Sequence, residues 1–84
     1  MPYRKVFVAM DVRYTQDGKI VPMVLHWPDG SAYVIAKVLD MRLGASLKVG
    51  GAGTRYRVRI LGEENTYERD LYLVDNRWFV EAEA

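Results

Sequence analysis

The sequence predicts an all-β protein: a small antiparallel barrel, SH3-like or OB-like, of five to six strands. Runs rich in β-branched and aromatic residues recur about every ten residues. Turn signals built on glycine, proline, asparagine or aspartate separate these runs, and no stretch carries a convincing helical apolar stripe. Closure into a barrel removes unpaired strand edges, which are a liability in a chain this rich in β-branched residues.

The 84 residues predict a single domain, residues 1–84, because a chain this short has no room for a second core. Half of the residues are hydrophobic and 27% are charged, which is a globular composition. The chain has no Cys and one His, so we expect no disulfide, no metal and no cofactor. The absence of cysteine suits a reducing cytoplasm, where we place the protein, and no segment is apolar enough to suggest a membrane partner.

The first predicted strand, RKVFVAMDVRYT, alternates cleanly and is followed by an Asp17-Gly18 turn. One face carries Val6, Val8, Met10, Val12 and Tyr14, and the other begins with Phe7 and Ala9. The second run, KIVPMVLHW, is apolar on both faces. Pro22 cannot donate to a ladder, so this strand is predicted to lie at an edge or to bulge there.

The third predicted strand, SAYVIAKVLDMRL, follows the WPDGS turn and is long enough that it must bend strongly. A short helix over part of residues 34–43 is the alternative. The next segment, GASLKVGGAG, connects it to a fourth strand. A phosphate-binding loop needs a lysine and a following helix. Here a strand follows without that lysine, so the glycines predict a strand connection.

The fourth strand, TRYRVRIL, alternates most strictly, with Tyr56, Val58 and Ile60 inward and Arg55, Arg57 and Arg59 outward. If Leu61 opposes Thr66 in the next strand, then Arg59 faces Glu68 and Arg57 faces Asp70. The same register puts Arg69 beside Val58 on the interior face, which predicts a bulge near residues 68–70 or a longer loop. The final VDNRW turn would pair Leu73 with Trp78 and Leu71 with Val80.

The three alternate arginines are the first candidate site, and three interpretations remain open. Their spacing of about 7 Å resembles the phosphate spacing of a single nucleic-acid strand, on which Trp27 could stack bases. An acidic protein partner is a second interpretation. The net charge of +1 and the facing acids favour the third, cross-strand pairing with Glu68 and Asp70.

His26 is the only residue that raises the question of catalysis. Ser31 or Ser46 could approach it, with Asp29 as an orienting group, yet neither serine has the surroundings of a nucleophile elbow. We therefore predict that the protein is not an enzyme.

The aromatic residues indicate a contact surface. Trp78 and Phe79 fall on opposite faces of the last strand, so one of them predicts an apolar patch that a loop or another molecule covers. The sequence thus predicts a non-enzymatic binding module that acts through protein contacts or self-association. Single-stranded nucleic-acid binding is the alternative. The candidate binding residues are Arg55, Arg57, Arg59, Trp27 and Phe79.

The segment RYRVRILGEENTYERDLYLVDNRWFVE, residues 55–81, resembles small uncharacterised bacterial β-barrel domains. In these a Y-R-V-R-I strand and a closing R-W-F-V strand complete a compact barrel. The resemblance implies a bacterial barrel and carries over no binding or catalytic residue.

Overall fold

The computed structural model describes residues 2–83 and shows six antiparallel strands and no helix within that range. They form a closed barrel in chain order, with the last strand returning to the first. The all-β barrel prediction is therefore confirmed. None of the described residues forms a helix that could cross a membrane. The strands are β1 Tyr3–Tyr14, β2 Ile20–His26, β3 Ala32–Ser46, β4 Ala52–Leu61, β5 Thr66–Val74 and β6 Arg77–Glu83.

Two strands, β1 and β3, each change partner along their length and so join two sheets. The first half of β1 pairs with β6 as far as Val8, and the second half, from Ala9, pairs with β2. The start of β3 pairs with β2, and from Ile35 onward β3 pairs with β4. The alternative of a helix within residues 34–43 is wrong, because this segment is strand throughout.

Bulges bend the barrel in two of its ladders, β1–β2 and β3–β4. Val12 pairs with Pro22 and Asp11 with Val24, so the strand carrying the proline has one extra residue there. Of the two alternatives predicted at Pro22, an edge or a bulge, the ladder to β1 shows the bulge. In β3, three irregularities interrupt the ladder to β4, and they supply the bend that a strand of 15 residues needs.

The β5–β6 hairpin turns through Asp75 and Asn76, whose φ angles of 51° and 63° fit a tight turn with left-handed backbone. Leu73 pairs with Trp78, as predicted. The expected pair of Leu71 with Val80 is wrong. Ladder pairing between β5 and β6 stops at Tyr72 and Phe79, whereas β6 stays paired with β1 as far as Glu83.

The core lies inside the barrel, where alternate side chains of every strand meet. Val58 and Leu71 are fully buried, and the ring of Tyr56 packs 5.1 Å from that of Trp78. Burying a large aliphatic side chain stabilises the fold by about 1.5–3 kcal/mol. The other members of the main cluster are Leu25, Ile35, Ile60 and Val80.

A second, smaller cluster lies outside the barrel, where the β3–β4 connection folds over β5 and β6. Leu47 of that connection packs on Tyr72 and Phe79, and Val49 and Val74 border them. The glycine-rich segment of the sequence therefore serves as a strand connection that covers an apolar outer face.

Candidate functional site

The three alternate arginines of β4, the arginine ladder (Arg55, Arg57 and Arg59), lie side by side on the outer face, and each meets an acid. Arg57 forms two hydrogen bonds with Asp70, at 2.8 and 3.2 Å, and its pKa is raised chiefly by them. Arg59 reaches Glu68 at 4.0 Å, and Arg55 reaches Asp40 at 3.3 Å. Neutralisation of this kind favours the structural interpretation of the ladder over a nucleic-acid surface.

The register of β4 with β5 is the one that the sequence predicted. Arg57 lies opposite Asp70 and Arg59 opposite Glu68, and the ladder runs without a shift. The bulge expected near residues 68–70 is therefore absent, and that expectation was wrong. Arg69 lies opposite Val58 in this ladder, and its side chain is exposed to solvent.

His26 lies at the end of β2 with Nε2 3.1 Å from a carboxylate oxygen of Asp11. Asp29, the residue expected to orient it, instead accepts a hydrogen bond from the backbone N–H of Ser31, and this bond lowers the pKa of Asp29. Within residues 2–83, no group of three or more histidine, cysteine or acidic residues could hold a metal ion.

Phe79, a predicted binding residue, is only 1% exposed. Leu47 packs over it, and the ammonium of Lys5 lies 4.9 Å from its ring centre. The sequence predicted that a loop or another molecule would cover one of the two aromatic residues. In the structure, the β3–β4 loop covers Phe79. Its neighbour Phe7 does reach solvent, with 41% of the residue exposed. The ring centres of Phe7 and Phe79 lie 5.6 Å apart in an edge-on arrangement.

A large concavity lies where β1 parts from β6, and we call it the β1 groove. Its volume is about 560 Å³, within the range typical of binding pockets. Its floor is apolar and belongs to the open end of the barrel interior, and Arg77 and Asn76 lie at its side. The residues that form the floor are Val8, Met10, Val12, Ile20, Leu73 and Trp78.

The β1 groove also contains a free strand edge. Beyond Val8, no strand within residues 2–83 pairs with the side of β1 that faced β6, while Ala9–Tyr14 stay paired with β2 on the other side. Phe7 and Tyr14 stand at the two ends of this segment, and both line the groove. Arg77 places its guanidinium 3.8 Å above the ring of Phe7.

Trp27, another predicted site residue, lies at a second and smaller concavity, which we call the Arg69 cavity. Its volume is about 100 Å³, and it shares no lining residue with the β1 groove. Its walls are Leu25, Trp27, Tyr33, Ile60, Tyr67 and Arg69.

Sequence reasoning placed Arg57 and Arg59 against their acids but missed Asp40. In the β3–β4 ladder Asp40 lies opposite Arg57, and its carboxylate reaches Arg55 diagonally. Neither concavity was predicted, although the apolar second face at Phe7 and the place of Arg69 in the inward alternation were the available signals. Comparison of the chain with protein-family models, with curated proteins and with solved structures finds no match in any of the three.

Proposed function

We propose that this barrel is a non-enzymatic binding module whose β1 groove takes an extended, apolar segment of a partner protein. The observation that carries the proposal is the coincidence of a free strand edge along Ala9–Tyr14 with a pocket whose floor side chains are apolar. A peptide added to such an edge gains main-chain hydrogen bonds, and its alternate side chains enter the pocket and give specificity.

The extent of the apolar surface favours a protein partner over a small molecule. The groove opens at its rim onto Tyr14, 66% exposed, and Phe7, so the contact surface continues beyond the floor. Exposed aromatic residues beside a pocket are typical anchors of protein interfaces.

The charges that line the groove indicate which residues a partner segment should carry. Arg77 is the only cation among the described residues that line the groove, and no acidic residue is among them. A segment with apolar residues at alternate positions and a carboxylate near Arg77 would fit this lining. We place the module in the cytoplasm, which the absence of cysteine favours.

A displayed library of extended peptides with alternating apolar and acidic residues tests the proposal. We expect selected peptides to bind, and to slow hydrogen exchange of backbone amides within residues 9–14. Tyr14→Ala and Arg77→Gln should each weaken binding at least tenfold. Leu43→Ala is the matched control, because Leu43 is an exposed apolar residue outside the groove lining.

Three outcomes would contradict the proposal. The first is the selection of peptides whose binding leaves amides 9–14 unprotected. The second is light scattering that shows a second copy of the chain in the groove, with dimerisation lost in Tyr14→Ala. The third is binding of labelled single-stranded oligonucleotides with an affinity that falls with salt and with replacement of Arg57, which would transfer the function to the arginine ladder.

A further inference from the structure

Arg69 occupies a position in the inward alternation of β5, but its side chain is exposed to solvent and lines a small concavity. It lies directly opposite Val58, which is fully buried, and follows the same inward alternation as Leu71. A guanidinium keeps its charge at every physiological pH. Among residues 2–83, no acidic side chain lies within 4.0 Å of it, whereas each arginine of the ladder has one.

The surroundings of Arg69 are aromatic. Its guanidinium carbon lies 6.0 Å from the ring centre of Tyr67, and Trp27 and Tyr33 form further walls of the Arg69 cavity. None of the described lining residues is acidic. The cavity therefore combines one unneutralised cation with apolar walls, a combination suited to an anion that carries a short apolar stem.

We propose that the Arg69 cavity binds a carboxylate on a short apolar stem, with the guanidinium holding the carboxylate and the aromatic rings enclosing the stem. The volume of about 100 Å³ corresponds to roughly three waters, so it accepts a group of the size of propionate. Planar, bidentate recognition of carboxylate is what a guanidinium does best.

This site is separate from the β1 groove. On β2, Ile20 lines the groove and Leu25 lines the cavity, and on β5 Leu73 lines the groove and Tyr67 the cavity. The two concavities thus open toward opposite ends of these strands, and occupation of one does not require the other. The inference does not depend on the function proposed above.

Two sources could supply such a carboxylate, a free small acid or the C-terminus of a peptide. Titration of the full chain with propionate, followed through the indole N–H resonance of Trp27, tests the first source. A short peptide ending in valine, with a free or an amidated C-terminus, tests the second. Propionamide is the uncharged control for the carboxylate itself.

We expect saturable binding of propionate or of the free-acid peptide, and no saturable binding of propionamide or of the amidated peptide. Arg69→Gln should weaken binding at least tenfold, and Arg69→Lys less. Arg42→Gln, which removes an exposed arginine from the outer face, and Tyr14→Ala, in the groove, should leave it unchanged. Because Arg69 is exposed, its variants should fold, and thermal unfolding checks this.

The proposal is overturned if neither carboxylate saturates the Trp27 resonance. It is equally overturned if propionamide binds as well as propionate, or if Arg42→Gln weakens binding as much as Arg69→Gln. Saturation by the peptide alone would assign the cavity to a C-terminal carboxylate, and saturation by both would assign it to the carboxylate group in general.

Discussion

Arg57 and Asp70 meet across β4 and β5 through two parallel hydrogen bonds, from Nε to Oδ1 at 2.8 Å and from Nη2 to Oδ2 at 3.2 Å. Fork-to-carboxylate geometry of this kind is specific as well as attractive. Both side chains are partly exposed, so water and salt screen the pair. We therefore expect the pair to favour this register of the two strands while contributing little to the free energy of unfolding.

A double-mutant cycle on Arg57→Ala and Asp70→Ala should give a small favourable coupling by urea unfolding. The coupling should shrink as salt rises from about 0.1 M to about 1 M, because the screening length falls from about 10 Å to about 3 Å. The same cycle on Arg59 and Glu68, whose closest approach is 4.0 Å, is the matched control. It should give a smaller coupling free energy. A coupling insensitive to salt would contradict this account.

Gly53→Ala should destabilise the protein by about 1–3 kcal/mol, the usual cost of overpacking. A Cβ at Gly53 would lie 2.5 Å from Cγ2 of Val74, and the β-branched side chain of valine has little freedom to move. Val74→Ala removes that obstacle, so we expect the double variant to be less destabilised than the sum of the two single variants. Additive losses in urea unfolding would show that the contact is not the cause.

Leu71→Ala should cost about 2–5 kcal/mol, since it leaves a cavity in a core where this side chain is fully buried. A loss of that size is a large fraction of the net stability of a small domain. Leu61→Ala, at an exposed position at the end of β4, should change stability by no more than about 0.5 kcal/mol. Equal losses at the two positions would contradict the inward placement of Leu71.

Alkaline pH should destabilise the barrel through Tyr72. Burial, and then the nearby charge of Glu81, raise the pKa of Tyr72 above its ordinary value of 10.0. Above pH 10 the unfolded chain therefore loses this proton more readily than the folded one, so the free energy of unfolding falls as pH rises. Urea midpoints measured up to about pH 11 should decline less in Tyr72→Phe than in the unaltered protein.

Tyr14→Phe is the matched control for that series, because Tyr14 is an exposed tyrosine. It should leave the alkaline decline unchanged. Tyr56, whose pKa is also raised by burial, should account for part of the decline that remains in Tyr72→Phe. An identical decline in Tyr72→Phe, Tyr14→Phe and the unaltered protein would assign it to other groups.

Local patterns predicted most of the fold. Alternation fixed which side chains of β4 enter the core, and the four residues between Leu61 and Thr66 set its register with β5. Pro22 predicted an edge or a bulge because it cannot donate to a ladder, and a bulge is present. Each of these features depends on neighbours that are close in the sequence.

Features that depend on distant segments could not be predicted in the same way. Asp40 reaches Arg55 only after the irregular backbone of β3 has been followed, and no local signal gives the position of those irregularities. Leu47 covers Phe79, and no local sequence pattern in either segment predicts that the two residues come into contact. The β1 groove exists only because β1 leaves β6 after Val8, which is a property of barrel closure.

The pairing of β1 with β6, in which Tyr3 lies opposite Glu83, also dictates the order in which the molecule can assemble. During translation the β1 segment leaves the ribosome long before the β6 segment. The β1–β6 ladder is therefore the last of the six ladders that can form. Contacts between such remote segments are slow to form. Until then, the nascent chain carries an uncovered edge that chaperones or sister chains on a polysome could engage.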